Sequence, residues 1–112
     1  MIVCVPVTDD GMIDPRWGRA ARVAIADVRA GAFASWREFA VRWDDLHDVG
    51  TEGGHHARVA GFLREHRVEV VVAHHMGPPM QHMLGQMDIG VWLEASGDAR
   101  RAVLAMTAPR AN

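Results

Sequence analysis

The run Val68-Glu69-Val70-Val71-Val72-Ala73 is short, β-branched and almost wholly apolar. A strand with one wet face alternates; a near-continuous run of this kind reads as a central parallel strand buried on both faces. Its flanks agree. Before it, Val59, Phe62, Leu63 and His66 fall three or four apart and predict a helix over about 55–66. After it, Pro78-Pro79 open a second helix, where proline in the first turn costs little. That helix carries a stripe of Met76, Met80, Met83 and Met87, with Leu84 beside it. Crossovers between parallel strands are right-handed and lay their helices on the sheet faces.

The remaining elements follow from shorter signals. Residues 2–7 are apolar and β-branched and predict a first, buried strand; residues 22–28 predict a second. Arg29-Ala30-Gly31-Ala32 is a hairpin turn. Residues 33–42 alternate, with Phe33, Ser35, Arg37, Phe39 and Val41 on one side, and predict an exposed edge strand. Thr8 to Pro15 is a polar loop with Asp9, Asp10 and Asp14, and residues 43–54 form an acidic loop with His47. Ile89 to Leu93 is a fifth strand, and Gly97-Asp98 leads into a last helix through about Met106. The tail 107–112 is expected to fray. The order β-β-β-α-β-α-β-α predicts an α/β fold in three layers, around a five-stranded mixed sheet of order 3-2-1-4-5 with strand two antiparallel.

Composition bounds the rest. With 112 residues, 49% of them hydrophobic, the chain suits one domain over 1–112. A net charge of -2 offers nucleic acid no broad attraction. All twelve basic residues are arginine, which reads as coding bias and not as a phosphate-binding surface. No run of about 18 apolar residues exists, and residues 1–7 lack a charged leader region, so a cytoplasmic protein without a membrane span is expected. One cysteine, Cys4, excludes an internal disulfide and a Cys-only zinc site. It lies inside the first strand, roughly 7–10 Å below the strand end, and is expected to be structural.

The candidate chemistry is imidazole and thioether. Open α/β sheets bind ligands beyond the carboxyl ends of their strands at the topological switch point, here between strands one and four. The loops after those strands carry Asp9 to Trp17 and His74 to Pro79. Helix one follows strand three, which runs parallel to strand one, so its N-terminus belongs on the same rim. Topology thus gathers His55, His56, His74 and His75 there as metal candidates, with His55 and His75 placed first. Neutral imidazole suits zinc, copper or iron; Met76 and Met80, if they ligate, favour Cu(I). The bland alternatives stand beside these. A His-His pair on a surface is often merely capped or solvated, and a methionine stripe is usually core, as expected for Met83 and Met87. His47 and His82 are expected on the surface, and His66 at a helix end favoured by the dipole. Trp17 and Trp43 are loop aromatics, and Trp17 is expected to wall the site. Gly77 either supplies only a tight turn or leaves backbone N–H groups facing an anionic ligand, to which Arg16 and Arg19 add charge.

Several segments resemble the dinitrogenase iron–molybdenum cofactor biosynthesis family, small cluster carriers with a ribonuclease H-like fold. Val5-Pro6-Val7 is similar to the family's opening strand, and Arg16-Trp17-Gly18-Arg19-Ala20 to its His-Phe-Gly-Arg-Ala segment. Val68 to Val72 with Gly77-Pro78 resembles its Gly-Val-Asp-Val-Val strand and Gly-Pro turn, and Asp88-Ile89-Gly90-Val91-Trp92 its Gly-Ile-x-Val strand. Two departures stand out: Arg16 replaces the family's histidine, and His74-His75-Met76 stand where small residues usually precede the turn. The resemblance implies binding of a metal or metal–sulfur cluster in general, without implying nitrogenase work, and the imidazoles leave iron, copper or zinc open. A donor or acceptor protein is expected, and the exposed third strand leaves monomer or homodimer open.

Other function classes place their own demands on the residues. A partner-binding module would use the tryptophans and the acidic 44–52 segment as its interface. A ribonuclease H-type nuclease needs several carboxylates holding two metals near the sheet centre, yet Asp9, Asp10 and Asp14 lie in a loop and only Asp27 and Glu69 lie on strands. A hydrolytic zinc enzyme needs a general base that no motif places. No catalytic residue is assigned.

Overall fold

The computed structural model describes residues 1–108. Strands β1 (Ile2–Pro6), β2 (Val23–Arg29), β3 (Ala32–Phe39), β4 (Val70–Val72) and β5 (Gly90–Trp92) form one sheet of order β3-β2-β1-β4-β5. β2 is antiparallel to both β1 and β3, while β1, β4 and β5 run parallel. This is the expected topology, with the switch point between β1 and β4. Helices α1 (Trp43–Leu46), α2 (Glu52–Glu65), α3 (Pro78–Gln86) and α4 (Ala99–Thr107) complete the chain, with a 3-10 turn over Trp17–Arg19.

Strand alternation splits the core into two layers. Cys4, Val23, Ile25 and Val71 point to the face covered by α2 and α3 and meet Val59, Leu63 and Leu84. Val3, Val5, Ala24, Ala26, Val70 and Val72 point to the other face and meet Ala99 and Val103 of α4. The second layer is built of smaller side chains, so one helix covers it closely.

Four expectations need correcting. The first concerns β3. Asp27 pairs with Ser35 but Val28 pairs with Phe33, leaving Ala34 as an extra residue in a bulge. The bulge turns Phe33 to the α4 face, edge-on to Trp36 at 5.2 Å, while Phe39 stays on the α2 face. Simple alternation had put both on one side. The second concerns α2, which starts at Glu52, because Thr51 Oγ1 accepts from Gly54 N–H at 2.9 Å and caps it. His55 therefore sits inside the first turn, not at the start. The third concerns segment 43–54, which contains α1. Trp43 is no loop aromatic; it is 1% exposed and packs edge-on against Trp17 at 5.2 Å and Phe62 at 5.8 Å. The fourth concerns the tail, of which Thr107 belongs to α4 and donates its hydroxyl to Val103 O at 2.7 Å. Residues 109–112 lie outside the described residues. No helix among the described residues is long and apolar enough to cross a membrane.

Candidate functional site

A cleft of about 730 Å³ opens beyond the carboxyl ends of β1 and β4. Four segments build it: the 3-10 turn, the β4–α3 connection, the α1–α2 connection and the first turn of α2. A backbone bridge between Arg16 and His75 ties the first two together across the switch point. The lining includes Arg16, Trp17, His55, His56, His75, Met76, Gly77 and Met80, with His47 and Arg19 at the mouth.

The four rim histidines fare differently. His75 is exposed and His56 half-buried, and both line the cleft. His74 is exposed and does not line it; its carbonyl accepts from Glu94 N–H at 2.9 Å. The expectation of His74 as a ligand is corrected by strand geometry, which sends neighbouring side chains apart. His55 needs the larger correction. It is 6% exposed, and both ring nitrogens are engaged. Nε2–H donates to Gly18 O at 2.8 Å, and Nδ1 accepts from the Arg58 guanidinium at 2.8 Å. A carbonyl only accepts and a guanidinium only donates, which fixes this tautomer. His47, expected on the surface, is instead a half-buried cleft residue, with Nδ1 at 3.0 Å from Asp48 Oδ1 and its ring 6.4 Å from that of His55. No sequence signal marked it, because the four residues of α1 that carry it to the rim are too few to show a period.

The walls differ in character. Met76 and Met80 are 2% and 6% exposed and form the apolar floor, while Met83 and Met87 pack only half-buried against the core. Core and rim roles in the stripe are thus partly exchanged, because α3 turns Leu84 most deeply inward. Trp17 is 2% exposed, and its Nε1–H finds no acceptor among the described residues. A buried unpaired donor costs about 1–3 kcal/mol. Asp14, 4% exposed, accepts from Arg16 N–H at 2.9 Å and from Arg16 Nε–H at 3.3 Å. That hydrogen bond, reinforced by the carboxylate charge, holds the exposed guanidinium above its ordinary pKa. The backbone N–H groups expected at the start of α3 are fewer than its geometry suggests. Gly77 is the cap, and Pro78 and Pro79 carry no N–H, so Met80 alone supplies one among the first three helical positions. Cys4 is fully buried, and burial pushes its thiol pKa up, so it presents neither a thiolate nor an open ligand.

Among the described residues, no three His, Cys, Asp or Glu side chains are arranged to hold a metal ion. The cleft offers separate donors and charges instead of a closed cage.

Residues 1–108 match the family described as Dinitrogenase iron-molybdenum cofactor. The chain belongs to that family. Solved structures share the fold. The apo form of the orange protein from Desulfovibrio gigas superposes with a TM-score of 0.75 at 22% identity, covering 98% of this chain and 92% of that one. A putative NifB protein from Thermotoga superposes with a TM-score of 0.64 at 23% identity, covering 95% and 86%. No curated protein matches the sequence.

Proposed function

We propose that the chain is a non-catalytic carrier that holds a metal–sulfur cluster in the cleft. His56 and His75 contact its metal atoms, and Arg16 and Arg19 face its negative charge. The observation that carries this reading is the pairing of two open imidazoles with two exposed arginines at one mouth. Membership of a family described by a metal–sulfur cofactor supports it. A bare zinc or copper ion wants three or four protein ligands, and no such trio exists among the described residues. A cluster brings its own bridging sulfides and needs anchoring at only one or two metals, with donors and positive charge for the rest. Met76, Met80 and Trp17 give it a pliable apolar bed. An iron-containing cluster therefore fits these donors better than mononuclear copper or zinc. An open cleft also suits cargo that must pass to a donor or acceptor protein.

The interface reading loses two of its anchors. Trp17 and Trp43 are buried in the core, which leaves it the half-buried Trp36 and Trp92 and the exposed Asp44, Asp45 and Asp48.

Anaerobic reconstitution with ferrous iron and sulfide tests the carrier reading. The wild type is expected to take up iron and sulfide in fixed ratio and to show visible charge-transfer absorption. A His56→Ala/His75→Ala variant is expected to lose that uptake with unchanged thermal melting. Equal uptake by both would remove these residues from the site.

A further inference from the structure

We infer that His55 and Arg58 are positioning residues that hold the cleft open at its working width. This rests on the carrier reading. The two side chains form one clasp. His55 Nε2–H reaches Gly18 O, across 37 residues of sequence, and Nδ1 takes a hydrogen bond from Arg58. The same Arg58 nitrogen donates to Leu46 O at 3.1 Å. One turn of α2 is thereby tied to the 3-10 turn on one side of the cleft and to the end of α1 on the other.

Each tie controls a wall. Gly18 lies between Trp17 and Arg19, so fixing its carbonyl fixes the direction in which both leave the turn. Leu46 precedes His47, so fixing its carbonyl holds that imidazole at the mouth. His55 does this with no nitrogen left for a metal. Either ring nitrogen, if it ligated, would abandon a buried carbonyl or a guanidinium N–H. Sites work when the groups touching the ligand are held by neighbours with locked geometry, and the clasp has that form.

The test uses equilibrium titration of the full chain with tetrathiomolybdate, a small sulfide-bearing anion with strong visible absorption. His55→Ala and Arg58→Met are each expected to weaken binding about tenfold, as the loss of outer supports does at metal sites. Because the two residues share the Nδ1 hydrogen bond, the double variant should lose less affinity than the two single losses combined. His55→Gln, whose amide both donates and accepts, should recover most of the affinity. A long-range proton–nitrogen spectrum of the imidazoles should show His55 as a single Nε2-protonated tautomer, unchanged when the probe binds. Additive losses would overturn the role, as would an Nδ1-protonated ring. So would a His55→Gln variant as weak as His55→Ala, with one nitrogen fewer in the metal shell by X-ray absorption. A wild type that takes up no tetrathiomolybdate but shows the expected tautomer overturns the carrier reading and this role with it, while leaving the hydrogen bonds themselves demonstrated.

Discussion

His55-His56 and His74-His75 are the same dipeptide placed in different backbones. On a helix, successive side chains point about 100° apart. His55 turns into the packed layer, and His56 is left at the cleft. At the end of β4, successive side chains point to opposite sides, so His75 meets the cleft and His74 meets water. Each pair therefore yields one open imidazole. The spare members differ more than the useful ones: His55 is buried and doubly hydrogen-bonded, whereas His74 offers the fold only its carbonyl. A histidine-rich rim thus presents two open imidazoles, one buried and hydrogen-bonded ring, and one ring that points away from the cleft. The backbone that carries each ring makes the assignment.

Substitution separates these four rings. The largest effect is expected from removing both open rings. His56→Ala/His75→Ala should weaken cluster uptake by roughly 100-fold or more, the upper range for losing even outer supports of a metal site, and should move stability by less than about 0.5 kcal/mol. Iron and sulfide analysis beside a thermal melt reads both numbers, and a large stability loss would break the contrast with His55.

Next in size is the buried ring. His55→Ala strands the Gly18 carbonyl and takes from the Arg58 guanidinium one of its two acceptors, so it should cost about 2 kcal/mol and lower the melting temperature by roughly 10 °C. Chemical denaturation measures it; a change below about 0.5 kcal/mol would show that the ring is free after all. The ring that points away should be almost silent. His74→Ala is expected to leave both stability and uptake within about 0.5 kcal/mol of wild type, and a clear loss of uptake would return His74 to the site.

Two controls lie away from the pairs. Cys4, buried with its thiol kept protonated, should resist alkylation in the folded protein and react at once in denaturant. Fast labelling of the native chain would reopen it as a ligand. Asp27 gives the smallest effect. Its hydrogen bond from Arg29 holds its carboxyl below the usual carboxylate range. The stability it contributes is therefore complete above the ordinary carboxylate pKa, near about 3.9, and is lost as pH falls through the lowered value. Asp27→Asn should flatten that acid limb of a stability-against-pH curve slightly, losing the small contribution near neutrality and matching the wild type in acid.

Much of the architecture was legible before any coordinates. The Val68–Ala73 run, the hairpin before it and the Pro-Pro helix start carry local signals strong enough to order all five strands. α1 escaped notice because a four-residue helix has no period to show. The early start of α2 was hidden by Gly53 and Gly54, poor helix formers that the Thr51 cap overrides. Phe33 was assigned to the wrong face because a bulge adds one residue to a strand without altering its composition.

At the site, sequence placed the ingredients and folding chose among them. The amino-acid order determined the switch point between β1 and β4, and hence that segments 16–19, 55–56 and 74–80 approach one rim, because strand direction and crossover hand follow from local chemistry. Which imidazole stays open was decided only by tertiary packing. A ring's freedom depends on what reaches its nitrogens, and Gly18, Arg58 and Leu46 come from three separate elements that meet nowhere but in the folded chain.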